Sequence, residues 1–292
     1  MKYPIDLKVY RDKVDSSTDL YKLDRGIRYN NSYLIFPFNK YIHYAPEWIF
    51  SPVVDLQYFL ALNNDGINIT ECFNQWLDEV TKRGFLENGY LIHRYYHPFY
   101  RLMPGWSSGM AQGLLLSCLL RVDTPSDGLM RAVINSLTSK PIASDTILGP
   151  YIEEYPHENN SMVLNGFLFG LIGLLEYLQN TRDSETRYIV KIKSLNYLET
   201  LIGSYLLYLS SPVNSMYDLQ GRPADCHYHR LHLRQLEAVN ILAKETLGIS
   251  ITEIYRAFKE QRIEENTKKV KFSIRKIFNL LCILRYKLEH EI

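Results

Sequence analysis

The sequence predicts a mainly all-α fold of paired antiparallel helices. Three observations carry that prediction. From Val54 onward, apolar residues recur at helical spacing in one segment after another. Strand signals are sparse after residue 50. The connections between helical segments are short, which suits helical hairpins packed side by side. A chain of 292 residues makes one large domain or two modest ones. No short repeat of fixed period is visible, and periodicity alone leaves a bundle, a solenoid and a closed toroid open.

Taken in order, residues 1–50 form an irregular, aromatic-rich segment expected to pack on the helical part. Within it, Ser32-Tyr33-Leu34-Ile35-Phe36 reads as a short strand that Pro37 stops. Asn68 or Thr70 caps a helix to about Lys82, with Phe73, Trp76, Leu77 and Val80 on one face. Ser107 to Val122 reads as a helix whose Gly109 and Gly113 share a face. Thr124-Pro125-Ser126-Asp127 starts the next, through Leu137. Asn160-Ser161 is expected to cap a helix to about Gln179. Its Gly166, Gly170 and Gly173 again share a face, and a neighbouring helix is the default partner for such a face. Further helices are expected at 184–210, 230–246, 250–265 and 268–290.

Composition narrows the function classes. Lys and Arg total 33 against 32 Asp and Glu, a net charge of +1, so a dedicated nucleic-acid binder is not expected. The 23 Tyr suit sugar rings, though many must serve as half-buried packing. Cys72, Cys118, Cys226 and Cys282 lie far apart, which excludes C-x-x-C chemistry and fits a reducing compartment. The first six residues hold no apolar signal-type run, so a cytoplasmic location is expected. The longest near-apolar run, Met162 to Leu175, has 14 residues and fits a buried helix rather than a membrane span. The segment 268–292 carries seven Lys or Arg against Glu289 and Glu291, a local net charge of +5. Its Val270, Ile274, Ile277, Leu281, Leu284 and Leu288 form an apolar stripe. A last helix docked on the body is the favoured reading. Peripheral contact with an anionic membrane is the sharper one.

Polar side chains cluster in the connections. Five segments stand out: Pro104-Gly105-Trp106-Ser107-Ser108-Gly109-Met110-Ala111-Gln112-Gly113, then Glu153-Glu154-Tyr155-Pro156, then Ser161 to Phe167, then Tyr217-Asp218-Leu219, then Cys226 to Leu236 with Tyr228, His229, His232 and Gln235. Together, in this order and spacing, they resemble the C-terminal domain of D-glucuronyl C5-epimerases, the family of heparan sulfate and heparin synthesis. The resemblance covers roughly 50–245 and is densest from Pro104 to Leu236. It implies an (α/α) toroid over 51–248, after the 1–50 segment and before a basic helical extension, 249–292. It also implies no cofactor and no metal. The animal enzymes carry β-rich domains ahead of this one, and their Y-D-L is followed by Arg. Here Gln220 follows, and Arg222 comes two residues later.

The chemistry so implied begins at C5 of a uronate, whose hydrogen lies α to a carboxylate. Its removal builds negative charge that the site must neutralise. Inversion then needs a second proton-transfer group on the opposite ring face. By position, the resemblance assigns these roles to Glu154, Tyr155, Tyr217 and Tyr228. Tyr228 and Glu154 are expected on opposite faces, with Tyr217 replacing one of them or orienting the carboxylate. Arg94, Arg101, Asn165, His229 and Arg230 are candidates for binding carboxylate or hydroxyl groups. Trp106 is a candidate stacking platform, and Gln112 a candidate ligand contact. Each has a plainer reading. A loop Tyr usually packs and makes one hydrogen bond. Glu153-Glu154 would ordinarily be a solvated turn. Trp106 would be structural, and Gln112 a buried hydrogen-bonder. His229 and His232 share a helix face but lack a third metal ligand at a typical spacing.

The leading expectation is a uronyl C5-epimerase acting on an acidic, heparosan-like polysaccharide, with a homodimer as a further expected partner state. A polysaccharide lyase would share the proton abstraction and then expel the C4 substituent. A non-catalytic polysaccharide-binding subunit is the other alternative.

Overall fold

The computed structural model describes the backbone of residues 28–30, 33–36 and 49–50, and residues 51–97, 99–157, 160–181 and 183–261 in full. Its elements, in chain order, are β1 (Arg28–Asn30), β2 (Tyr33–Phe36), β3 (Ile49–Phe50), α1 (Pro52–Asn64), α2 (Thr70–Lys82), β4 (Leu86–Glu87), β5 (Tyr90–His93), β6 (Trp106–Ser107), α3 (Gly109–Leu119), α4 (Asp127–Thr138), β7 (Ala143–Thr146), β8 (Gly149–Ile152), α5 (Leu164–Asn180), α6 (Ser184–Tyr208), α7 (Cys226–Leu247) and α8 (Thr252–Glu260). The fold is mostly helical, as expected. The strand expected at residues 32–36 is β2, Tyr33–Phe36, which pairs antiparallel with β1 and β3. The basic segment 268–292 lies outside the described residues.

The helices form two rows. α1, α3, α5 and α7 pack successively against one another, with α2 against α1, α4 against α3, and α6 against α5. α3 and α5 are buried along almost their whole length, which is why they are apolar all round rather than amphipathic. α2 is one-sided, burying Cys72, Phe73, Trp76 and Val80. Its Trp76 indole N–H donates to Asp55 Oδ2 on α1 (2.7 Å), so the packing partner hydrogen-bonds one oxygen of a buried carboxylate.

Side-chain capping starts four of the eight described helices. Ser108, Ser126, Asp183 and Asp225 each accept a first-turn amide of the helix they start. The other four described helices, α1, α2, α5 and α8, have no side-chain cap at their N-cap residue; at α2 that residue is Ile69, with Asn68 just ahead of it accepting the Thr70 N–H (2.8 Å). Ser161 does not cap α5, because its hydroxyl donates to Glu153 Oε2 instead (2.7 Å). Met162 then takes a left-handed conformation (φ 46°), and the helix begins at Leu164. The first α5 amide, Leu164 N–H, donates to the Tyr217 carbonyl (3.0 Å).

Two strand groups follow residue 50 that the sequence did not suggest. β4, β5 and β6 make a three-stranded antiparallel sheet with Leu86 opposite Leu91 and His93 opposite Trp106. β7 and β8 form a hairpin with Ala143 opposite Ile152. These strands run only two to four residues, too short for an alternating pattern to register in a sequence. They matter because each hairpin delivers a loop to the end of the molecule where α3, α5 and α7 begin.

Candidate active site

Glu153 and Glu154 leave β8 side by side, and neither is a solvated turn. Glu153 is fully buried and accepts from Ser161 Oγ (2.7 Å), the Met162 N–H (2.9 Å) and Ser144 Oγ (3.4 Å). It is the clasp that holds the 153–162 connection. Glu154 points the other way, into the start of α5. A Cβ at Gly166 would lie 2.6 Å from Glu154 Oε2, so only glycine leaves room for this carboxyl group. Burial pushes its pKa up to about 8, outweighing the Tyr155 and Asn165 side chains and the Gly166 amide, which favour its ionised form. Its Oε2 is buried and has no hydrogen-bond partner among the described residues.

Around this carboxyl group stands an aromatic wall. The Tyr155 ring stacks on Tyr100 (centroids 4.3 Å apart), lies 4.5 Å from His97 and 5.5 Å from Trp106. Burial first, then Glu154, Tyr217, Tyr95 and Tyr228, raise the Tyr155 phenol well above its ordinary pKa. Tyr95 is raised likewise by burial and by Glu154. Both therefore keep their protons at neutral pH. Tyr217 and Tyr228 meet edge to face, centroids 4.8 Å apart. Tyr228 sits in the first turn of α7, positioned by the Asp225 cap, which accepts the Tyr228 N–H (2.9 Å).

The loop before α7 brings in the cation. Asp218, fully buried, accepts from the Tyr100 hydroxyl (2.9 Å), Arg222 Nε (2.5 Å) and the amides of Gln220 and Arg222. This folds the Arg222 guanidinium over the rings of Phe99 (3.7 Å), Tyr100 (4.6 Å) and Tyr217 (4.6 Å). One buried carboxylate thus ties the Y-D-L loop to the β5–β6 connection.

Of the residues singled out from sequence, Glu154, Tyr155, Tyr217 and Tyr228 come together here, with Trp106 and Asn165 beside them. Trp106 stacks on His93 (3.9 Å) and its indole N–H donates to the Tyr95 carbonyl (3.0 Å). Asn165 is buried next to Glu154, and its Oδ1 has no hydrogen-bond partner among the described residues.

The others stand elsewhere. Gln112 is fully buried and spends its amide on structure: its Nε2 donates to the Gly89 carbonyl and Ser136 Oγ (2.6 Å), and its Oε1 accepts the Leu91 N–H (2.9 Å). It is therefore a clamp between α3 and the β4–β5 hairpin rather than a ligand contact. Arg94 is exposed and donates to the Gly84 carbonyl (2.7 Å) and to Glu87 (3.3 Å). Arg101 is exposed in a left-handed turn position (φ 53°). Arg230 is exposed on α7. His229 faces inward: its Nδ1 accepts the Ser215 N–H (3.0 Å) and its ring stacks on Phe258 of α8. His232 bonds the same serine through Nδ1 (2.7 Å), so the pair pins the 215 loop. Burial drives the His232 pKa down to about 3.

Sequence reasoning passed over Tyr100, Asp218 and Arg222 as site residues. Their partners lie 118 positions apart in the chain for Tyr100 and Asp218, and only the fold joins them. Arg222 carried a weak signal, as the first cation after Y-D-L.

In class, then, this is a helical protein with a buried carboxyl–phenol cluster opening on an aromatic wall with a cation at its edge. The chain belongs to the D-glucuronyl C5-epimerase C-terminus family, whose pattern matches residues 87–260. A D-glucuronyl C5-epimerase from Caenorhabditis elegans is 36% identical over 88 residues, which is 27% of this chain and 14% of the worm protein. The match thus spans a small part of that relative's length. Among solved structures, a polysaccharide lyase aligns over 98% of this chain and 84% of its own, at 11% identity and a TM-score of 0.47.

Proposed function

We propose that this protein is a polysaccharide uronyl C5-epimerase, converting D-glucuronate to L-iduronate residues in a heparosan-like polymer. One observation carries the reading: a buried glutamate whose pKa lies near 8 stands among three tyrosines at the start of α5 and α7. Near neutral pH such a carboxyl group is partly ionised, and its ionised form is a stronger base than an ordinary carboxylate. It is suited to take the proton from C5. The C5–H bond breaks, and its electron pair delocalises into the uronate carboxylate. Arg222, together with the N-terminal ends of α5 and α7, supplies positive potential for that charge. A phenol on the opposite ring face, from Tyr217 or Tyr228, then delivers a proton to C5. Glu154 ends protonated and the phenol deprotonated, and exchange with solvent restores both. No cofactor enters this scheme.

The test is incubation with heparosan and with its N-sulfated form in D₂O, followed by proton NMR and ultraviolet absorbance. Deuterium at C5 with new iduronate signals is expected, and its loss in Tyr228→Phe would assign the donor. An unsaturated uronate chromophore without iduronate would replace the epimerase by a lyase. Binding of either polymer with no exchange at C5 would leave a carbohydrate-binding protein.

A further inference from the structure

α6 is 25 residues long and has two unlike faces. One face buries Val190, Tyr197, Leu201 and Tyr208 against the body. The opposite face exposes Tyr188 (66%), Ile192, Ile202 and Leu206 (64%), with Leu195 half-buried between them. With Glu199, these residues step along the helix by four, three, four, three and four. That is a heptad seam, the pattern of a helix that meets another helix at a shallow angle. A chance scatter of surface apolar residues has no such register.

The same step pattern recurs outside the described residues. Val270, Ile274, Ile277, Leu281, Leu284 and Leu288 are also spaced by four, three, four, three and four. Each seam covers 18 residue steps, about 27 Å of helix. The described chain ends next to the right place. Gln261 Nε2 donates to the carbonyls of Ser211 (2.5 Å) and Asn214 (3.2 Å), just past the C-terminal end of α6. The residues between 261 and 270 can bridge up to about 30 Å when extended, enough to reach Leu206 from there.

We propose that residues 270–288 dock as a helix antiparallel to α6, burying both seams. The pairing sets Val270 on Leu206, Ile274 on Ile202, Leu281 on Leu195, Leu284 on Ile192 and Leu288 on Tyr188. Charge supports this direction. The last turn of α6 holds no basic residue of its own. The docked segment brings Lys268, Lys269 and Lys271 to it, where the helix dipole favours cations. Ile277 falls opposite Glu199, and the adjacent Lys276 can pair with it. Glu289 falls opposite Arg187, one turn from Lys191. In the reverse direction the lysine cluster would face Arg187, Lys191 and Lys193 instead. This assignment does not depend on the epimerase reading.

The test uses the full chain, with Cys282→Ser to remove the tail thiol. The pair Glu199→Cys with Ile277→Cys should close an intramolecular disulfide under mild oxidation. The offset pair Lys191→Cys with Ile277→Cys should not. Hydrogen exchange read by mass spectrometry should show residues 270–288 protected, and Ile202→Asp should release that protection while the rest of the fold stays protected. Leu281→Asp should do the same from the other side. A disulfide between two copies at low protein concentration would overturn the proposal in favour of a dimer seam. So would protection of the tail that survives Ile202→Asp, or protection that appears only with anionic phosphatidylserine vesicles. A tail that exchanges freely in every sample would overturn it as well.

Discussion

α3 and α5 meet in two ways along their length. Midway, their backbones touch: a Cβ on Gly113 would lie 2.6 Å from the Gly170 Cα, and one on Gly173 would lie 2.6 Å from the Gly113 carbonyl oxygen. At their N-terminal ends the close neighbours of the glycines come from the end of β8 and the residues just after it. Gly109 faces Ile152 and the Glu153 carbonyl, and Gly166 faces the Glu154 side chain. One row of glycines therefore serves packing at its centre and holds a carboxyl group at its edge. In both places a missing Cβ permits close approach. The approaching group differs because β8 ends there and turns its two glutamates toward the helices.

That contrast can be broken at several points. At the crossing, Gly113→Ala should be the most damaging change to the fold, costing about 3 kcal/mol or more, because the obstructing atoms are backbone and cannot swing away. Chemical denaturation would read it, and wild-type stability in that variant would mean the helices cross elsewhere.

At the edge, Glu154→Gln should keep the fold and lower the rate of the proposed C5 exchange by about 10²–10⁴-fold. The variant should also change how stability depends on pH. The folded pKa of Glu154 lies near 8, above its unfolded value near 4.5, so the folded state binds more protons across that window. Stability from this group is present below 4.5 and is lost as pH rises through about 8. Glu154→Gln removes that loss, so denaturation midpoints of the two proteins should draw apart toward alkaline pH, with the variant the more stable. Parallel curves would show that the carboxyl group is solvated.

Next in size is Gln112→Ala. It strands the Gly89 carbonyl, the Leu91 N–H and Ser136 together, a loss of about 2 kcal/mol. Activity per folded molecule should survive, and a selective rise in KM would return Gln112 to the list of ligand contacts. Arg94→Ala should be the smallest effect, under about 1 kcal/mol, because its ion pair with Glu87 is exposed on both sides. It should leave KM unchanged.

Much of the helical framework was legible in the sequence, because helices announce themselves locally. The helix at residues 70–82 was readable from Phe73, Trp76 and Val80, and the start of α4 from Ser126. The start of α5 was not. Ser161 has the chemistry of a cap, but Glu153 competes for its hydroxyl, and that competition is tertiary. The strands between α2 and α5 escaped for a different reason, being too short to show a period. For the site, motif order pointed to Glu154, Tyr155, Tyr217 and Tyr228. It singled out Glu154 over Glu153 by position in the motif, but did not show the physical difference between them: Glu153 clasps a loop, and Glu154 faces the start of α5.

By itself, the sequence determined where helices could form, which faces were apolar, and where glycine allowed something to come close. Those are properties of short windows, governed by the geometry of a single helix. What came close was decided only by the tertiary structure. Glu153 and Glu154 are both buried, and burial raises the pKa of both; they take different roles because Ser161, Met162 and Ser144 donate to Glu153 while Glu154 turns into the start of α5. Asp218 acquired Tyr100 and Arg222 in the same way. Burial and electrostatic potential sum over everything nearby in space, and most of what is nearby in space is distant along the chain.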